Sequence, residues 1–175
     1  MKRIRVIGPI LLTMGGLTVV LLLFSIDVAT IRLPRSGQKL VGALKTTVGG
    51  DIRLSYLHSV ERTPVEGRFS VGPGPSLLVR ETRMMSVGTG LPNTAPERTR
   101  RDGRWMVVDE GLQPLPGLDF YLSPVNKTRI TVDGSPVSLE TVPFGSVIRL
   151  DMEKIRLGRF WLWHLFGKDW RPEKA

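Results

Sequence analysis

Residues 40–60 read LVGALKTTVGGDIRLSYLHSV, and the fold class turns on this stretch. Apolar and polar side chains alternate over Asp51 to Val60, and the run before Gly49-Gly50 is read with the same period of two. Successive side chains of an extended chain point to opposite faces, so a period of two marks a strand with one buried face. Leu40 to Val48 and Asp51 to Val60 are therefore expected as two strands, with Gly49-Gly50 as the tight turn that joins them. In the second strand Ile52, Leu54, Tyr56, His58 and Val60 share the apolar face, and Arg53, Ser55, Leu57, Ser59 and Glu61 the other.

The same signal continues toward the C-terminus. Arg68 to Val71 and Leu77 to Arg83 flank Gly72-Pro73-Gly74-Pro75. Thr128 to Val132 and Val137 to Glu140 flank Asp133-Gly134-Ser135-Pro136, where Asp-Gly is a strong short-hairpin signal. Trp105 to Asp109 and Ser146 to Met152 complete the set, and residues 86–104, rich in Gly and Pro, read as a long loop. No helical period persists over 39–152. The expected fold class is all-β, an antiparallel sandwich or partly closed barrel, preceded by one N-terminal transmembrane helix.

That helix is read from residues 6–26, VIGPILLTMGGLTVVLLLFSI, which contain no charge. At ~1.5 Å per residue they span roughly 31 Å, about one hydrocarbon core. Lys2, Arg3 and Arg5 precede them, the layout of a signal peptide or an uncleaved signal anchor. A cut after Ala29 would place Asp27 third from the cleavage point, and a cut after Ser25 would place Leu23 there, so the uncleaved anchor is favoured. Positive charge is nearly balanced across the segment, with Arg32, Arg35, Lys39 and Lys45 beyond it. The short basic start nevertheless reads as an export signal, which puts the β domain outside the cytoplasm of a single-pass cell-membrane protein. The expected organisation is an anchor over 1–27, a linker over 28–38 carrying Pro34, Ser36 and Gly37, a β domain over 39–155, and a Trp-rich tail over 156–175.

Composition narrows the chemistry. The 175 residues hold 25 Lys+Arg against 16 Asp+Glu, a formal net charge of +9, yet 41% are hydrophobic, enough for a packed core. There is no cysteine, which removes disulfide frameworks, Fe–S clusters and thiol nucleophiles. His58 and His164 are the only histidines, too few for a His-rich metal site, so no metal and no cofactor are expected. His58 and Ser59 point to opposite faces of a strand and cannot form a nucleophile–base pair, and no Gly-x-Ser-x-Gly elbow exists, so no enzyme activity is expected. Gly88-Thr89-Gly90 is not followed by Lys-Ser/Thr and is a turn rather than a phosphate loop. Arg98, Arg100, Arg101 and Arg104 form a basic run suited to anionic headgroups, an acidic partner or plain solvation. Nucleic acid is disfavoured because the anchor places that run outside the cytoplasm and no stacking module is present.

The string Tyr56-Leu57-His58-Ser59-Val60-Glu61-Arg62-Thr63-Pro64-Val65-Glu66, then Phe69, resembles the signature of the DUF1850 family. Glu81-Thr82 and Gly88-Thr89-Gly90-Leu91-Pro92 follow in the same order and spacing, and the resemblance runs from residue 40 to about 150. It implies a small prokaryotic protein with an N-terminal membrane segment, encoded beside or fused to the membrane subunits of TRAP-type transporters of the TAXI class. It implies a transporter accessory role and supplies no catalytic residues to carry over.

Two expectations follow for function. The first is a membrane-anchored extracytoplasmic interaction protein, held in the lipid bilayer by residues 6–26 and bound to TRAP membrane or solute-binding subunits. The second is a ligand-binding or enzymatic β domain with a pocket around His58 and Glu81. Glu81 shares parity with Leu77 and Val79, so a buried His58–Glu81 contact is expected, structural before functional. The candidate polar cluster is Tyr56, His58, Glu61, Glu66, Glu81, Gly88 and Gly90. Glu61 and Glu66 bracket Thr63-Pro64, a turn whose two carboxylates carry only a weak cation signal. In the tail, Arg159, Trp161, Trp163 and Trp170 are expected to contact membrane or partner, with packing onto the domain as the alternative.

Overall fold

The computed structural model describes residues 15–16, 19, 21–37, 39–74, 76–86 and 96–166. Among the described residues the fold is built on eleven strands followed by a helix: β1 (Ser25–Leu33), β2 (Lys39–Lys45), β3 (Asp51–Leu57), β4 (Pro64–Val71), β5 (Leu77–Met84), β6 (Thr99–Asp102), β7 (Trp105–Leu115), β8 (Leu118–Tyr121), β9 (Arg129–Val132), β10 (Ser135–Val137), β11 (Val147–Arg156) and α1 (Leu157–Phe166). They form two antiparallel sheets, one of four strands in the order β2-β1-β11-β8 and one of seven in the order β10-β9-β3-β4-β5-β7-β6. The sheets do not close into a barrel among the described residues. One apolar core joins them: Ala29, Ile31, Leu150 and Met152 from the small sheet meet Ile52, Phe69, Leu77 and Ile130 from the large one.

The opening stretch folds as strands but not as a hairpin. β2 pairs with β1 in the small sheet, and β3 pairs with β4 and β9 in the large one. Gly49-Gly50 is thus the crossover from one sheet to the other. Gly49, at φ 85°, donates its N–H to the Val71 carbonyl at 2.8 Å, and Val71 donates back to Gly50 at 3.1 Å. A Cβ on Gly50 would run into the Thr46 hydroxyl and the Asp133 carboxylate, so the glycine is required for close approach. The partner of β3 is β4, and the hairpin loop is residues 58–63. The Asp133-Gly134 turn is as read: β9 and β10 pair across it, with φ of 48° and 77°.

The linker expected over 28–38 is corrected. Residues 28–33 lie within β1, an inner strand of the small sheet, and Val28, Ala29, Thr30 and Ile31 are all buried. The segment escapes sequence reading because apolar residues fall on both of its faces, Val28 on one and Ala29 and Ile31 on the other, and its partner is the remote β11: Ala29 opposes Met152, and Ile31 opposes Leu150. On the outer side Arg32 grips Glu153 with two hydrogen bonds, at 2.8 and 2.6 Å. The strand begins at Ser25, so the last residues of the apolar run 6–26 belong to the sheet. Most of the expected anchor lies outside the described residues, and among the described ones no helix is long and apolar enough to cross a membrane.

The loop read over 86–104 also contains structure. Thr99–Asp102 is an edge strand paired with β7 through a turn at Gly103, φ 59°. Its sequence, TRRD, has no apolar alternation, so periodicity could not find it. The tail is helical over 157–166, and Trp163, half-buried, packs against the shared core. Trp161, Leu162 and Leu165 are exposed. Trp170 lies outside the described residues.

Candidate functional site

β-bulges decide where the polar side chains of the large sheet point. In β4, Val65, Gly67, Phe69 and Val71 face the core. Their partners in β5 are Met84, Thr82, Val79 and Leu77, because Arg80 is an extra residue between Val79 and Glu81. One extra residue reverses the alternation. Glu81 therefore leaves the face of Leu77 and Val79 and turns to the outer surface, beside Arg68.

That outer surface is a lattice of ion pairs. Arg68 donates Nε to Glu66 at 2.6 Å and lies 3.3 Å from Glu81. Arg100 reaches the other Glu81 oxygen at 2.8 Å. Arg83 pairs with Asp102 at 2.7 Å and stacks over Trp105 at 5.4 Å from the ring centroid. The Glu66 hydrogen bond, with the charges of Glu66, Glu81 and Asp51, raises Arg68 above the already high guanidinium range, against the opposing pull of burial. Glu81 is answered by Arg68 on the adjacent β4 and by Arg100 across β7, Asp102 by Arg83 across β7, and Glu66 by Arg68 on its own strand, so opposite charges face one another over the sheet surface.

His58 is not on the buried face. β3 ends at Leu57, and His58 opens the hairpin loop, half-exposed. Its Nδ1 accepts the Glu61 N–H at 3.2 Å, its own N–H donates to the Thr63 carbonyl at 2.9 Å, and its carbonyl accepts the Arg62 N–H at 3.0 Å. The imidazole thus closes a tight loop in which Arg62 sits at φ 54°. The expected His58–Glu81 contact does not form. Glu81 opposes Arg68, four residues up β4 from the hairpin end, about 13 Å along a strand. Glu61 is exposed at the loop tip, and Glu66 belongs to the outer lattice. Gly88 and Gly90 lie outside the described residues. Of the sequence-read cluster, the structure brings together only His58 with Glu61, and Glu66 with Glu81 through Arg68. Among the described residues no group of three or more His, Cys, Asp or Glu side chains is placed to hold a metal ion.

Tyr56 keeps its inward position and touches both apolar clusters of the domain. Burial raises its phenol pKa. Beside it runs a loop that sequence reading passed over. Leu57 donates its N–H to the Asn126 carbonyl at 2.6 Å, tying the His58 hairpin to residues 122–129. The side-chain oxygens of Thr63 and Asn126 are buried there without a hydrogen-bond partner in the chain. A cleft of about 670 Å³ opens on the far side of this loop, between it and residues 136–144. Leu122, Ile130, Val137 and Leu139 line its walls, Phe144 stands exposed at its mouth, and Lys127, Arg129 and Glu140 bring charge to it. The only sequence signal for it was two cations alternating along Asn126-Lys127-Thr128-Arg129, which exposed strand ends commonly show.

Comparison with known proteins gives one match. The model of the family described as Domain of unknown function (DUF1850) matches residues 52–139, half of the chain. The matched span contains β3 to β10, the His58 hairpin and most of the cleft, and leaves out β1, β2, β11 and α1. No curated protein and no solved structure matches.

Proposed function

The chain belongs to the DUF1850 family, and from that premise we propose that it is a membrane-anchored, extracytoplasmic accessory protein of a TRAP-type solute transporter of the TAXI class, a binding module with no reaction of its own. The observation that carries the membrane part is the junction of the two chain ends. β1 starts where the apolar run stops, with no spacer. Leu157, the first residue of α1, donates its N–H to the Phe24 carbonyl at 2.8 Å, and the Arg156 guanidinium donates to the Leu22 carbonyl. Leu22, Leu23 and Phe24 are exposed there, as are Trp161, Leu162 and Leu165 of α1. Apolar side chains with Arg156 and Arg159 beside them suit the headgroup boundary, where aromatic and basic groups partition together. The transporter part rests on the family resemblance. Glu81 is engaged by Arg68 and Arg100, and His58 by Glu61, which supports the binding reading over one built on a His58–Glu81 pair.

The test uses Ser135→Cys, an exposed position at the start of β10, beside the Asp133-Gly134 turn, in a chain without native cysteine. A membrane-impermeant maleimide should label it in intact cells, and transporter subunits should co-purify with the full chain from native membranes. Labelling only after permeabilisation would overturn the topology, and purification without any transporter subunit would overturn the partner.

A further inference from the structure

The Lys127–Arg129 cleft stands apart from the outer lattice. On that lattice Arg53, Arg68, Arg83 and Arg100 each have a carboxylate partner. Lys127 and Arg129 have none among the described residues, although both line the cleft. Glu140 lines it too, without reaching them, so the rim carries one uncompensated positive charge.

The cleft exists because β10 is short. It ends at Val137, opposite Ile130, and the sheet edge is uncovered from Arg129 back to Lys127. Residues 138–144 then swing away and return at Gly145. The two walls are tied at their base. Leu122 donates its N–H to the Ser146 carbonyl and Gly145 donates to the Leu122 carbonyl, each at 2.9 Å. Asn126 donates to the Ser123 carbonyl at 3.2 Å, and Leu57 secures the Asn126 carbonyl from the other side. Lys127 is held at φ 44°, a conformation non-glycine residues adopt only when their flanks are fixed. A preformed cavity of this size, with apolar walls and a few charges at one rim, has the anatomy of a small-molecule site.

We propose that this cleft binds a small organic acid, its apolar body against Pro124, Pro136, Leu139 and Phe144 and its carboxylate held by Lys127 and Arg129. The planar guanidinium of Arg129 can take the carboxylate through two parallel hydrogen bonds, and the Lys127 ammonium adds a point charge. A neutral apolar ligand would leave both cations unused, and an organic cation would meet net repulsion at the rim. The proposal is independent of the transporter association: it concerns this cavity, not the partner that seats the protein.

The experiment is ligand-observed 19F NMR on the full chain in lipid nanodiscs, with empty nanodiscs as blank. The probe is 4-fluorobenzoate, and the control is 4-fluorobenzylamine, which has a similar ring and the opposite charge. The benzoate line should broaden saturably with protein, the amine should bind at least about tenfold more weakly, and the double substitution Lys127→Gln, Arg129→Gln should weaken the benzoate by at least about tenfold. Both cations are exposed, so the melting transition of that variant should match the parent. Glu140→Gln, which removes the opposing charge, should bind at least as tightly. No saturable broadening up to about 10 mM, equal binding of the amine, an unaffected double variant, or a loss of binding in Glu140→Gln would each overturn the proposal.

Discussion

The two sheets are assembled from different kinds of pairing. Most neighbours in the seven-stranded sheet are also neighbours in sequence: β3 with β4, β4 with β5, β6 with β7, β9 with β10. The centre of the four-stranded sheet is β1 against β11, the first strand against the last. The difference shows in the side chains. The large sheet alternates between core and solvent, and its outer face is stitched by ion pairs, one between the adjacent β4 and β5 and two that reach from β5 to β6 across β7. β1 is buried on both faces over Val28–Ile31, and its outer side is covered in part by the Arg32–Glu153 pair. Local pairing tolerates a polar face because each hairpin places its own partners. Remote pairing draws more on burial, since closing a long loop costs entropy that continuous apolar contact must offset.

The comparison can be broken most severely on the core face of the large sheet, at Leu77. Leu77→Asp puts an unpaired carboxylate on the core face of β5, where the side chain is fully buried in the shared apolar core. Stability should fall by more than about 4 kcal/mol, enough to abolish a cooperative thermal transition followed by circular dichroism. A variant that melts near the parent would show that the locally paired sheet does not rely on burial of its core face.

Next in size is Leu150→Ala in β11, a fully buried side chain facing Ile31 across the small sheet. A cost of about 2–5 kcal/mol is expected in urea denaturation. Because one core cluster spans both sheets, the loss should move a single transition. Two separated transitions would mean that the small sheet, built from the chain ends, unfolds by itself.

The smallest effect concerns Tyr56, which bridges the two apolar clusters. Its folded pKa lies above the ordinary value of 10.0 because burial disfavours the phenolate. In the window above that value the unfolded chain releases the proton while the folded chain keeps it, so stability falls as pH rises. Tyr56→Phe should remove that contribution and flatten the alkaline limb of the stability profile, while shifting neutral-pH stability by about 1 kcal/mol or less. An unchanged alkaline limb would place the Tyr56 hydroxyl in water in the folded state.

The candidate site was legible only in part. His58, Glu61 and Glu66 stood out as residue types, and the structure does gather them at and beside one hairpin loop. What misled was parity. β3 stops at Leu57, so His58 left the strand whose alternation had placed it inside, and the Arg80 bulge turned Glu81 outward. A bulge is one residue in a run that still looks strand-like, and nothing in Leu77–Met84 marks which residue is extra. The Lys127–Arg129 cleft was silent for a different reason. A cavity is the space between segments, here residues 122–129 and 136–144, and no single segment carries its pattern.

By itself the amino-acid sequence determined that the domain is β-rich and antiparallel, that Asp133-Gly134 turns a hairpin, that no thiol chemistry is available, and which family the chain resembles. These depend on composition or on contacts between near neighbours, where backbone sterics and side-chain period act directly. Only the tertiary structure decided that Gly49-Gly50 carries the chain between sheets, that residues 28–33 form an inner strand, and that Glu81 faces Arg68 and Arg100. It alone set two unpaired cations over an apolar cleft. Those outcomes are fixed by which remote strand wins each edge, a competition settled by burial summed over the whole core.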